Sequence, residues 1–175
     1  MTSRQSQPNL KRMQALHAPW RIEYILGPKS HLSEASTFAA IGESNEDEAN
    51  YVIARAKHCY AVLNTHPYTG GHVLIAPYKQ ASDFDDFTDE ENMDFIKLMQ
   101  RIKRALTETM NPDGFNIGIN LGKSSGAGIA EHLHIHVVPR WTGDTNFMPV
   151  IGETTVLPEA LNETAAKLRA ALFRE

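Results

Sequence analysis

From Tyr51 onward the chain falls into short apolar runs separated by turn residues. Tyr51-Val-Ile-Ala54, Cys59-Tyr-Ala-Val-Leu63 and His72-Val-Leu-Ile-Ala76 are rich in β-branched and aromatic side chains, and each predicts a strand. Pro67, Gly70 and Gly71 between the second and third runs suit the turn of an antiparallel hairpin, and Pro77 stops the third. The period then changes. Phe95, Leu98, Met99, Ile102, Leu106 and Met110 recur at helical spacing behind Thr88 and Glu91, a capping-box pair, until Asn111-Pro-Asp-Gly114 breaks the pattern. Phe115–Ile119 and Leu133–Val138 predict a fourth and a fifth strand, and a short C-terminal helix from Pro158 carries Leu161, Leu168 and Leu172. Strands in succession around one long helix imply an α+β domain with a mostly antiparallel sheet. Met1 to about Ala18, and Ser30 to Asn50, are polar and read as mobile arms or loops. Trp20, Ile22, Tyr24 and Ile25 lie between them as an anchor against the body or a partner subunit. The chain thus divides into an N-terminal arm and loop, residues 1–50, and one domain, residues 51–175.

Composition narrows what that domain does. With 175 residues, 42% hydrophobic and 22% charged, it has the size and balance of a single globular unit. Seventeen basic against 21 acidic residues, a formal charge of -4, argue against broad binding to nucleic acid, so any phosphate recognition is local. No apolar stretch approaches the ~20 residues that cross a membrane. The single cysteine, Cys59, excludes an intrachain disulfide framework and suits a reducing compartment. Arg4, Lys11 and Arg12 near the start lack the apolar run of a signal peptide, so the expected location is the cytoplasm.

The candidate chemistry sits in His132-Leu-His134-Ile-His136-Val-Val-Pro139. Polar and apolar positions alternate with period two, so a strand sets all three imidazoles on one open face and Leu133, Ile135 and Val137 on the core face. Slipping the register by one residue would bury three histidines and expose three aliphatics, which fixes it. Same-face residues two apart are separated by ~6.6 Å, and the outer pair by ~13 Å, whereas metal–nitrogen bonds are ~2 Å. Three imidazoles in a row therefore suit a single metal ion poorly. Without metal, a neutral imidazole attacks phosphorus while a neighbour carries a proton or positive charge, giving a covalent phosphoramidate that a second acceptor releases. His134, flanked on both sides, is the expected nucleophile. Upstream, Gly118-Ile-Asn-Leu-Gly-Lys-Ser-Ser-Gly126-Ala-Gly128 supplies small residues whose backbone N–H groups can surround phosphate oxygens. Gly118 and Gly122 are separated by three residues where a P-loop needs four, so that motif is rejected.

His132-Leu-His134-Ile-His136-Val-Val resembles the signature of the histidine triad (HIT) family, a histidine at alternate positions among apolar residues. Ala18-Pro-Trp-Arg-Ile-Glu-Tyr24, Ala61-Val-Leu-Asn64, Gly70-Gly-His72-Val-Leu-Ile-Ala-Pro77 and Pro139-Arg-Trp141-Thr-Gly-Asp-Thr-Asn-Phe147 extend the resemblance to about Leu172. They are similar to the bacterial branch near diadenosine tetraphosphate phosphorylases and fragile-histidine-triad hydrolases. The resemblance implies a five-stranded antiparallel sheet with one long helix and a short C-terminal helix, assembled as a homodimer, acting on a nucleotide substrate without a cofactor. It implies that His134 becomes nucleotidylated, that His136 contacts the transferred phosphate, and that His132 and His72 support the array. Asn64 then lies near the ribose, Gly126, Gly128 and Ile129 near the α-phosphate, and Asn120 and Trp141 are further nucleotide contacts. Many bacterial relatives carry cysteines and a histidine for a structural zinc; here the matching positions hold Ser36-Thr-Phe-Ala39 and Gln80, so no metal is expected. Fragile-histidine-triad hydrolases place a glutamine where this chain has Gly128, which moves the expectation from water towards phosphate as acceptor. A nucleotide- or metal-binding protein of the same fold without turnover is the alternative.

Overall fold

The computed structural model describes residues 36–152, 154 and 156–174. The proposed anchor of Trp20, Ile22, Tyr24 and Ile25, and the block Ala18 to Tyr24, lie outside them. Five strands, β1 (Val52–Arg55), β2 (Cys59–Leu63), β3 (Val73–Pro77), β4 (Gly114–Ile119) and β5 (Ile135–Arg140), form one sheet in the order β1-β2-β3-β5-β4, every pair antiparallel. The α+β architecture with a five-stranded antiparallel sheet is therefore as the sequence implies. α1 (Thr37–Glu43), α2 (Asp89–Met110), α3 (Met148–Ile151) and α4 (Leu161–Leu172) complete it, with short 3-10 turns at Phe84–Asp86 and Lys123–Ser125.

Strand alternation sorts the core into two layers. Ala61 and Leu63 of β2, Val73 and Ile75 of β3, and Ile135 and Val137 of β5 pack with Phe95, Leu98, Ile102 and Leu106 of α2 and Leu168 of α4. On the other face Val52, Tyr60, Val62, Leu74 and Ala76 pack against Phe38 of α1. α2 starts where its capping box predicts: Thr88 Oγ1 accepts from the Glu91 N–H while Glu91 accepts from the Thr88 N–H. It ends at Asn111, in the left-handed region at φ 45. Gly71 (φ +76) closes the β2–β3 turn against α2, and a Cβ there would lie 2.6 Å from Met110 Sδ.

Two expectations change. The stretch Ser30 to Asn50, read as loop, contains α1, less than two full turns capped by Ser36, with Phe38 and Ala39 buried. Arg55 holds its C-terminal end, donating to the carbonyls of Gly42 and Ser44 and to the Asp47 carboxylate. The fifth strand begins at Ile135 rather than Leu133, so His132 and His134 precede the ladder while His136 lies in it.

Candidate active site

Register aligns one row across the sheet: Val62 opposes Leu74, Leu74 opposes His136, and His136 opposes Gly118. Opposed residues share a face, so His136 projects on the α1 side, beside Val62 and Leu74. There the sheet, α1 and the glycine loop enclose a cavity of about 980 Å³. Phe38, Ile41, Val62, Leu74 and Ile129 give it an apolar wall, and Asn64, Asn120, Gly126 and Gly128 a polar one, with His134 and His136 between. Among the described residues none that lines it is a carboxylate, although the chain as a whole is acidic. An apolar wall beside convergent polar groups suits a ligand with a heteroaromatic end and an anionic end.

Donor and acceptor rules fix the direction of each hydrogen bond. The backbone carbonyl of His132 only accepts, so His134 Nδ1, 2.9 Å away, carries a proton and donates to it. A neutral His134 thus keeps its lone pair on Nε2, the atom available to attack. The Tyr68 N–H donates to His72 Nδ1 (3.1 Å), which Asn64 Nδ2 also approaches (3.3 Å). That nitrogen is therefore an acceptor, the His72 proton sits on Nε2, and it donates to His136 Nδ1 at 3.0 Å. His136 in turn holds its proton on Nε2. The His134 and His136 ring centroids lie 5.0 Å apart, and the Tyr68 ring stacks parallel to His136 at 5.9 Å.

Burial opposes a positive charge on His72, His132 and His134. Desolvation, reinforced by the positive charge that His136 and His134 would carry, lowers the His72 pKa to about 3. His134 is lowered by desolvation, partly offset by its bond to the His132 carbonyl. His132 is lowered by desolvation as well, against the opposing bond to Pro77. A neutral imidazole is the nucleophilic form, so the environment selects the reactive state.

The structure brings together most of the residues the sequence singles out. His134, His136, Asn64, Asn120, Gly126, Gly128 and Ile129 line the cavity, and His72 stands behind His136. Two candidates are placed elsewhere. Trp141 is not among the lining residues; its indole N–H donates to the Met110 carbonyl. His132 does not join its neighbours on an open face: it is wholly buried, with Nε2 donating to the Pro77 carbonyl at 2.9 Å and Nδ1 2.5 Å from Ser36 Oγ. The expectation of three open imidazoles is corrected because α1 covers that face. Phe38 packs on both His132 and His134, with ring centroids 5.5 and 4.9 Å away, and His134 is only 6% exposed, reached from the cavity rather than from bulk water. Phe38, Ile41, Tyr68 and Ser36 are site residues that sequence reasoning missed. The N-cap preference of serine ahead of a Phe38/Ile41 pair at helical spacing is the signal that marks α1.

Residues 45–143 match the family model described as HIT domain. The chain is 40% identical over 170 residues to the AP-4-A phosphorylase of Mycobacterium tuberculosis, spanning 94% of this chain and 87% of that protein. It is 34% identical over 91 residues to the bis(5'-adenosyl)-triphosphatase of Saccharomyces cerevisiae, spanning 51% of this chain and 44% of that one. The crystal structure of a Zn-bound histidine triad family protein from Mycobacterium smegmatis superposes with a TM-score of 0.64 at 31% identity, covering 80% of this chain and 94% of the other. A zinc ion does not fit between Ser36, Gln80 and His132 here. The Ser36 hydroxyl and the His132 ring close that space with their own hydrogen bond, and Gln80 Oε1 is engaged by the Ser36 N–H. A hydroxyl, a carboxamide and one imidazole are also a poor tetrahedral donor set.

Proposed function

This chain belongs to the histidine triad family, and from that premise we propose that it is an enzyme that cleaves dinucleoside polyphosphates such as diadenosine tetraphosphate, passing a nucleoside monophosphate through His134 to inorganic phosphate. The observation that carries the reading is the hydrogen bond that commits His134 Nδ1–H to the His132 carbonyl, which leaves the lone pair on Nε2 of a ring that lines the cavity. The apolar wall of Phe38, Ile41, Val62, Leu74 and Ile129 takes the base, Asn64 the ribose, and Asn120, Gly126 and Gly128 the phosphates.

In the first transfer His134 Nε2 bonds to the α-phosphorus and the bond from that phosphorus to the bridging oxygen breaks. The leaving polyphosphate is stable as an anion near neutral pH and needs no full proton. His136 Nε2–H donates a hydrogen bond to the phosphoryl or bridging oxygen as negative charge builds there. The nucleotidylated ring becomes cationic, and the His132 carbonyl on its Nδ1–H stabilises that charge. In the second transfer an anionic oxygen of inorganic phosphate bonds to the same phosphorus, the P–N bond breaks, and His134 recovers its lone pair. From diadenosine tetraphosphate the products are ATP and ADP. Phosphate rather than water is favoured as acceptor by Gly128, where the hydrolytic branch carries glutamine, and by the 40% identity to a phosphorylase.

The reading extends to a homodimer in the cytoplasm. Among the described residues β4 is an edge strand with Asn116, Ile117 and Gly118 exposed, and an edge beside an exposed isoleucine favours pairing with a second copy. Among the described residues no helix is long and apolar enough to cross a membrane. The test of the activity is incubation with diadenosine tetraphosphate, with and without phosphate, in wild type and His134→Ala. ATP plus ADP appearing only with phosphate, a nucleotide bound covalently to wild type, and neither in the variant are expected. AMP plus ATP would replace phosphate by water as acceptor, and no turnover in either condition would leave a nucleotide-binding protein.

A further inference from the structure

Ser36 has a hydrogen-bonding position that secondary structure alone does not require. Its hydroxyl oxygen accepts the Ala39 N–H at 3.1 Å, as an N-cap does. The same oxygen lies 2.5 Å from Nδ1 of His132, and both residues are buried. The direction of that bond is fixed from the far side of the ring. Pro77 offers only a carbonyl, so His132 Nε2 carries the proton, Nδ1 of the neutral ring is a lone pair, and Ser36 O–H is the donor. One hydroxyl therefore caps α1 and sets the tautomer of His132 together with the Pro77 carbonyl. Gln80 steadies the arrangement by accepting the Ser36 N–H at 2.9 Å.

The ring so held belongs to the residue whose backbone carbonyl receives His134 Nδ1–H. Rotation of the buried His132 ring would break two hydrogen bonds and shift the chain segment that carries this carbonyl. α1, seated by the same hydroxyl, delivers Phe38 onto the rings of both His132 and His134. We propose that Ser36 is a positioning residue for the nucleophile: acting through His132, it keeps the His134 carbonyl acceptor and the Phe38 face in place, so that His134 presents Nε2 at the angle the attack on phosphorus needs. The proposal rests on the function argued above for His134. Misplacement of a reacting group by a fraction of an ångström costs rate rather than binding, so the loss falls on kcat.

The test compares Ser36→Thr, Ser36→Cys and Ser36→Gly in the full chain. Glycine is tolerated at an N-cap almost as well as serine, so Ser36→Gly removes the hydroxyl with little loss of capping, while threonine retains both. Cysteine keeps the shape with a much weaker donor. With diadenosine tetraphosphate and phosphate, kcat is expected to fall in the order Ser, Thr, Cys, Gly, by about tenfold or more at glycine, with KM altered less than about threefold. Nitrogen-15 NMR of the imidazoles reads the same device without turnover: His134 is expected as the Nδ1–H tautomer in wild type and as a mixture in Ser36→Gly. If Ser36→Gly does not fold, Ser36→Cys carries the same comparison. Equal kcat in the threonine and cysteine variants, an effect confined to KM, or an unchanged His134 tautomer in the variant that lacks the donor overturns the proposal. Absence of turnover in wild type would instead refute the function, and the NMR comparison would still decide the role of Ser36.

Discussion

His72 makes the stability of this protein depend on pH in a way that can be isolated. The side chain is 1% exposed, and its pKa falls from the ordinary value to about 3 because burial and the neighbouring His136 and His134 oppose a positive charge. The unfolded chain, with histidine near ~6.5, therefore binds a proton that the folded chain refuses between roughly pH 6.5 and pH 3. A group depressed on folding contributes stability that is fully present above its unfolded pKa and lost as pH falls towards its folded one. Each pH unit in that window costs about 1.4 kcal/mol, so His72 alone accounts for about 2 kcal/mol between pH 7 and pH 5. Asparagine at this position can still accept from the Tyr68 N–H and donate towards His136 but does not titrate. Chemical denaturation of wild type and His72→Asn at pH 7 and pH 5 should give a loss in wild type larger by about 2 kcal/mol, with unchanged m-values. The variant is less stable throughout, but the comparison reads only the change with pH. His132 and His134 are also lowered and steepen both curves. Parallel losses in the two proteins would show that His72 is not held neutral by the fold.

Gly128→Gln tests the choice of acceptor. Gly128 lines the cavity, so a glutamine there would bring its carboxamide to the reaction site. The AMP-to-ADP product ratio from diadenosine tetraphosphate in the presence of phosphate should rise severalfold, and an unchanged ratio would remove Gly128 from the argument for phosphorolysis. Ile117→Lys places a charge on the exposed β4 edge, where Ile117 is 45% exposed. Light scattering should report a dimer for wild type and a monomer for the variant; a monomeric wild type would refute the edge as an interface.

Where local physics decides an element, the sequence was legible. The run Cys59–Leu63 is a strand over those residues, and Thr88 with Glu91 starts α2 where their side chains exchange hydrogen bonds. The period-two pattern around His134 correctly sent Ile135 and Val137 to the helix side and His136 to the other. α1 was read as loop because its local signal, a serine cap and the Phe38/Ile41 pair, spans only seven residues, and the contacts that order it come from Arg55 and His132 elsewhere in the chain. The extent of β5 was overread for a related reason. Alternation persists through Leu133, whose N–H goes to the Ala81 carbonyl outside the sheet rather than to a neighbouring strand.

What alternation cannot express is the polarity of a histidine array, on which the proposed division of roles rests. Parity treats His132, His134 and His136 alike, yet each ring has a different partner on Nδ1: the Ser36 hydroxyl, the His132 carbonyl and the His72 Nε2–H. A carbonyl makes His134 a donor there and leaves the lone pair on Nε2, as the proposed attack requires. A donor in the same place turns His136 round, so that it offers Nε2–H to oxygen. His72 and His136 are 64 positions apart, so only the closed fold supplies the donor that gives His136 the opposite polarity to His134. Interchanging the Nδ1 partners of His134 and His136 would leave the family signature intact while reversing which nitrogen of those two rings carries the proton, and the proposed attack on phosphorus would then fall to the other ring.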